Sequence, residues 1–195
     1  MKFSETAVAG VILIEPDVHR DARGFFLETF HAGKYGGAGI PTQFVQDNHS
    51  ASAVNTLRGL HMQLRRPQGK LVRAVEGEIW DVAVDLRHDS PTFGRWAAER
   101  LSAENFRQLY IPPGCAHGFC VLSENAEVEY KCTELYSPAD EVGIAWNDPT
   151  LAINWPVRQP LLSTRDQSHP TLEQLLKTSA APAPRRRVTR PALAS

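Results

Sequence analysis

The chain has 195 residues, 42% of them hydrophobic, enough for one domain with a real core. Its 21 lysines and arginines against 22 acids give a net charge of −1, and five of the basic residues (Lys177, Arg185, Arg186, Arg187 and Arg190) stand after position 176, where no acid occurs. The remaining 16 basic and 22 acidic groups make a mildly acidic body, which argues against a nucleic-acid-binding face spread over the fold. No apolar run approaches the ~20 residues of a membrane span, and Met1 to Thr6 carry no apolar signal core.

In chain order, short runs rich in Val, Ile and aromatic residues alternate with Gly, Pro, Asn and Asp at 10–15, 24–30, 43–49, 70–76, 78–86, 108–111, 117–122 and 127–136. That rhythm predicts an all-β sandwich or barrel. The run 78–86 alternates, with Trp80, Val82, Val84 and Leu86 on one face and Ile79, Asp81, Ala83 and Asp85 on the other. Two short helices are expected, one near 31–35 and one at 171–176, where Thr171 supplies a cap and Glu173 an acid in the first turn. From position 177 the chain turns to Ala, Pro, Arg and Ser, which bury too little surface to offset ordering, so a disordered tail is expected over 177–195 and a domain over 1–176. Cys115, Cys120 and Cys132 have neither metal-ligand nor redox spacing and are expected as buried thiols in a reducing cytoplasm.

The chemistry concentrates in Arg58-Gly59-Leu60-His61, with Lys70 nine residues beyond His61. Bringing a guanidinium, an imidazole and an ammonium together in strand-like sequence is costly unless something anionic meets them. An imidazole that titrates near neutrality makes His61 a candidate base. Strand parity sets Arg58 opposite His61, so Arg58 lies at the rim or a bulge near Gly59 re-aims it. Pro112-Pro113-Gly114-Cys115-Ala116-His117 has the Pro-x-Gly-x-x-His form that opens a strand in cupin-type barrels, with His117 aimed into the mouth. The rest of a cupin metal set is missing: His61-Met62-Gln63 lacks the second histidine, and Arg65 and Arg66 stand where a glutamate is wanted. No metal is therefore expected. Gln46 and Asn48 share a strand face, as do Phe26 and Glu28, and an aromatic ring among donors and acceptors suits a nucleobase or sugar. Tyr130 shares its face with Cys132 and offers a phenolic proton.

These segments, collinear with Asp21-Ala22-Arg23-Gly24-Phe25-Phe26, Gln46-Asp47-Asn48-His49-Ser50, Gln68-Gly69-Lys70-Leu71-Val72, Tyr130-Lys131-Cys132-Thr133, Trp146-Asn147-Asp148-Pro149 and Leu162-Ser163-x-x-Asp166, resemble the dTDP-4-dehydrorhamnose 3,5-epimerase family from about position 10 to 176. The resemblance implies a cupin-like jelly-roll barrel with a few short helices, free of metal and cofactor, acting in the cytoplasm as a homodimer on a dTDP-4-keto-6-deoxyhexose. It implies His61 as base, Asp166 as its partner, Tyr130 as proton donor and Lys70 as the enolate clamp. It also implies that Arg23, Phe26, Glu28, Gln46, Asn48, Arg58, His117, Glu141 and Arg165 bind substrate, the first three in the partner's site. Arg165 stands where lysine is common in the family. A single-centre epimerase or a ketoisomerase of a related sugar nucleotide, and a non-catalytic sugar-nucleotide-binding cupin, are the alternative readings.

Overall fold

The structure, a computed structural model, describes residues 1–179. In chain order they form β1 (Lys2–Glu5), β2 (Ile12–Glu15), β3 (Val18–Asp21), β4 (Gly24–Leu27), α1 (Ala32–Gly37), β5 (Gln46–Ala53), β6 (Leu57–Gln63), β7 (Lys70–Glu76), β8 (Glu78–Asp85), β9 (Trp96–Ser102), β10 (Gln108–Ile111), β11 (Cys115–Val121), β12 (Asn125–Cys132), β13 (Glu141–Gly143), α2 (Thr164–Gln167) and α3 (Leu172–Ser179). A six-stranded sheet in the order β1-β2-β10-β7-β12-β5 faces a five-stranded sheet in the order β13-β6-β11-β8-β9, and β3 and β4 form a separate hairpin. The pairings within the sheets are antiparallel, as an all-β jelly roll requires.

The alternation read in β8 sorts its side chains onto two apolar surfaces. Ile79 and Ala83 join Val72, Leu109, Phe119 and Val128 between the sheets. Val82 and Val84, with Trp80, face outward under Ile144, Leu151 and Leu172 from the C-terminal segment. Burying both faces of a strand removes the polar side that an exposed sheet would show. Asp81 and Asp85 are accordingly fully buried, and each is paired.

The expected helices form close to their sequence signals. His31 caps α1, and Tyr35 is buried with its hydroxyl donating to the Thr29 carbonyl at 3.0 Å. Ahead of α3, Thr171 Oγ1 accepts from the Gln174 amide and Gln174 Oε1 accepts from the Thr171 amide, a reciprocal cap. Because α3 continues to Ser179, the first residues of the expected tail are helical; the rest, from 180, lies outside the described residues. Among the described residues, no helix is long and apolar enough to cross a membrane.

Candidate active site

Between the two sheets opens a cavity of about 540 Å³, and a lobe of about 300 Å³ shares His61, Lys70, Tyr130 and Arg165 with it. The five-stranded sheet contributes Arg58 and His61 from β6 and His117 from β11. The six-stranded sheet contributes Ser50 and Ser52 from β5, Lys70 from β7 and Tyr130 from β12. His61 and Tyr130 therefore stand on opposite walls. Gln46 and Asn48, on one face of the edge strand β5, line the lobe with Glu141 and Tyr136.

Arg58 reaches this cavity through the second of the two routes open to the sequence. His61 lies opposite His117, but Arg58 lies opposite Phe119, so three steps along β6 match two along β11. The extra residue is a bulge, and Gly59 permits it: its φ is +123°, and a Cβ there would stand 2.5 Å from the Gly118 Cα. Arg58 then donates to Ser52 Oγ at 3.0 Å and to the Ala51 carbonyl at 3.3 Å.

His61 Nε2 lies 2.6 Å from Asp166 Oδ1. With the Nε2 proton donated to the carboxylate, the lone pair is left on Nδ1, which is 3.9 Å from Glu141 Oε1. The four-residue helix α2 aims Asp166. Ser163 caps it, accepting from the Asp166 amide at 3.1 Å and donating to Asp166 Oδ2 at 2.8 Å. Burial works against the Asp166 charge, but hydrogen bonds from His61 and Ser163 outweigh it and hold the carboxyl below its ordinary range.

A second imidazole–carboxylate pair is sealed in the wall, where His117 Nε2 meets Asp81 Oδ1 at 2.7 Å. Burial lowers the His117 pKa despite Asp81, with Lys70 and His61 adding to the depression. Lys70 is lowered chiefly by burial, and its ammonium lies 5.8 Å from the centre of the Tyr130 ring. Burial also raises Tyr130, so its phenol stays protonated at neutral pH. Glu141 is held by Arg165 and by the Tyr136 hydroxyl, both at 2.6 Å. Burial pushes the Glu141 carboxyl up, and these bonds together with His61 turn the net shift downward.

Arg23, Phe26 and Glu28 are not brought to this cavity. Arg23 and Phe26 lie on the β3–β4 hairpin, where the Arg23 side chain is 90% exposed and paired with Asp21, and Phe26 is 69% exposed. Glu28 pairs with Lys34 of α1. The sequence assigns no site role to Ser163, Asp81, Tyr136 or His169. Ser163-x-x-Asp166 has cap spacing, but a single turn of helix shows no hydrophobic period to mark it. Tyr136 was read as strand, yet β12 ends at Cys132.

His61, Asp166 and His169 place one ligand atom each within 4.8 Å of one another. They fit a proton relay better than a metal. Ligands at about 2.1 Å from one tetrahedral ion stand roughly 3.4 Å apart, whereas His61 Nε2 and Asp166 Oδ1 are 2.6 Å apart. Gln63 occupies the position where a cupin pair would place its second histidine, and its amide donates to the Arg66 and Leu135 carbonyls and accepts from the Ser137 amide.

A family model described as dTDP-4-dehydrorhamnose 3,5-epimerase matches residues 5–174. A Pseudomonas aeruginosa protein named dTDP-4-dehydrorhamnose 3,5-epimerase is 57% identical over 169 residues, covering 86% of this chain and 93% of the relative. The crystal structure of a Legionella pneumophila dTDP-6-deoxy-D-glucose-3,5-epimerase in complex with dTDP-4-keto-L-rhamnose matches with a TM-score of 0.85 at 48% identity, over 88% of this chain and 93% of that one. A 3'-monoepimerase from Streptomyces bikiniensis, in complex with dTDP-quinovose, matches with a TM-score of 0.83 at 35% identity over 89% of each chain.

Proposed function

The chain belongs to the dTDP-4-dehydrorhamnose 3,5-epimerase family, and from that membership we propose how its cavity carries out the reaction. The enzyme is an isomerase that inverts carbons 3 and 5 of dTDP-4-dehydro-6-deoxy-D-glucose to give dTDP-4-dehydro-L-rhamnose. The ketone at carbon 4 acidifies the hydrogens on both neighbours. His61 Nδ1 takes the proton from carbon, and the C–H electron pair moves into the ring to leave an enolate on the carbon 4 oxygen. Asp166 keeps the tautomer that leaves Nδ1 free and supports the imidazolium once it forms. Lys70 meets the enolate oxygen, and Tyr130 returns a proton to the opposite face, which inverts the centre. No metal takes part. The observation that carries this reading is the 2.6 Å His61–Asp166 pair on one wall with a protonated phenol on the other.

Arg58, His117, Glu141, Arg165, Gln46 and Asn48 hold the sugar nucleotide in this reading, with arginine forks suited to the diphosphate. Arg23, Phe26 and Glu28 serve the cavity of a second copy, so the working unit is a homodimer whose hairpins cross. Their exposure and their separation from the chain's own cavity support this assignment. The three free, buried cysteines fit a cytoplasmic setting.

His61→Asn tests the base. Turnover is expected to fall by about 10³-fold or more while dTDP still binds; substantial remaining activity removes His61 from the role. Mixing inactive His61→Asn subunits with Arg23→Ala subunits tests the crossing, because each mixed dimer would hold one cavity with both residues intact. Activity should reappear on mixing, and a mixture no more active than its parts counts against shared sites.

A further inference from the structure

A second imidazole lies at the carboxylate that meets His61. His169, two residues past the end of α2, brings its Nε2 to 3.3 Å from the same Asp166 oxygen that binds His61. Its ring meets the His61 ring edge-on, with centroids 5.3 Å apart and planes at 82°. The His169 side chain is only 8% exposed, and its buried Nε2 has no hydrogen-bond partner among the described residues other than this off-line contact with Asp166. The neighbouring strand leaves room for the ring. Gly143 of β13 lies opposite His61 in the ladder, and a Cβ at 143 would collide with three atoms of the His169 imidazole.

We infer that His169 is a positioning residue of the epimerase, sharing the Asp166 carboxylate with His61 and limiting how strongly that carboxylate supports proton uptake at His61. The inference rests on the assignment of His61 as base. A lone pair turned toward a carboxylate would be repelled, so His169 keeps its proton on Nε2, 3.3 Å from Oδ1 and out of hydrogen-bond alignment, where the N–H dipole offsets part of the carboxylate charge. Two imidazoles around one carboxylate also compete. Once one carries a proton, the second protonation is opposed by like charge, and the pair titrates in two separated steps. The depressed affinity of His169 for a proton agrees with this: burial is the larger cause and the His61 charge the next. Other groups face the same space, namely Glu141 from β13, Arg165 from α2, Lys70 from β7, His117 from β11 and Tyr130 from β12. Among the described residues, the groups that meet Asp166 Oδ1 are His61 and His169, not these five.

His169→Phe keeps a ring over Gly143 and removes the N–H; His169→Gln keeps an uncharged N–H near the Nε2 position. With His169→Phe, the undiluted Asp166 charge should raise His61 basicity. The acid limb of the kcat/KM profile is then expected to move up by about half a pH unit or more, with KM for the sugar nucleotide little changed. His169→Gln should return the limb most of the way toward that of the wild type. A His169→Phe profile that overlays the wild type overturns the inference, as does a His169→Gln shift as large as that of His169→Phe. Should the phenylalanine variant fail to fold, NMR titration of the histidines in the wild-type enzyme decides: two coupled steps are expected, and independent titration of His61 and His169 overturns the inference. The outcome is separable from the base assignment, because an active His61→Asn variant undermines the base itself, whereas an unshifted His169→Phe beside an inactive His61→Asn removes only the role of His169.

Discussion

Two imidazole–carboxylate pairs, built with nearly the same bond, stand side by side on paired strands and are set for different work. His61–Asp166 and His117–Asp81 have N–O distances of 2.6 and 2.7 Å, and the two histidines face each other across the β6–β11 ladder. The difference lies in what surrounds them. His61 is 26% exposed, and its carboxylate comes from a loop helix that satisfies it a second time through Ser163. His117 is 6% exposed, Asp81 is fully buried, and Asp81 Oδ2 has no hydrogen-bond partner among the described residues. A group that must take up and release a proton needs a route to solvent and a partner that tolerates its charge. Where solvent is shut out, the neutral imidazole wins, and His117 is a fixed hydrogen-bonding wall.

The comparison can be broken at its carboxylates. Asp166→Asn keeps the shape but removes the acceptor charge that selects the His61 tautomer, so turnover should fall by about 10³-fold, read in steady-state kinetics. Asp81→Ala should act on stability instead. Leaving His117 buried and unpaired is expected to cost about 3 kcal/mol in urea unfolding, with no movement of the acid limb of the rate profile. Equal catalytic losses in the two variants would contradict the division of labour.

Gly59 sharpens the contrast, because the bulge there lets Arg58 join His61 beside His117. Gly59→Ala sets a Cβ against Gly118 on a backbone that disfavours side chains, and should cost about 2 kcal/mol and raise KM for the dTDP-sugar. An unchanged KM would mean that Arg58 does not touch substrate.

The smallest effect is on pH-dependent stability. His117 and His169 bind protons less readily in the folded chain than in the unfolded one. Below the unfolded histidine value of about 6.5 the unfolded state therefore takes up protons that the native state refuses, and stability declines as pH falls. The urea midpoint should drop between pH 7 and pH 5.5, and the His117→Asn variant should drop less. A flat wild-type midpoint would argue against a sealed, neutral His117.

Much of the barrel was legible in the sequence, because short apolar runs bounded by turn residues mark buried strands: β7 and β10 begin and end where their apolar runs do. Strand β9 was harder to see, since Ala97, Ala98, Glu99 and Arg100 have little strand character and are held by β8. His61 as a base and Tyr130 as a proton donor could be read from the residues, whereas the roles of Lys70 and Asp166 came from family resemblance, and the convergence of all four on one cavity came from tertiary pairing. The position of Arg58 was undecidable by parity alone, because a one-residue bulge is invisible to a two-residue period. His169 escaped notice for a different reason. A lone histidine before a proline has no pattern, and its meaning depends on Gly143 of a distant strand.

The proposed mechanism requires proton exchange at the two carbons flanking the ketone, driven by His61. Incubation with dTDP-4-dehydro-6-deoxy-D-glucose in deuterium oxide with a chelator present, followed by weighing of the sugar nucleotide, tests it most directly. Two deuterons gained above the no-enzyme control are expected for the wild type and none for His61→Asn. One deuteron would contradict the two-centre reaction, and none, with dTDP still bound, would contradict the chemistry assigned to the cavity.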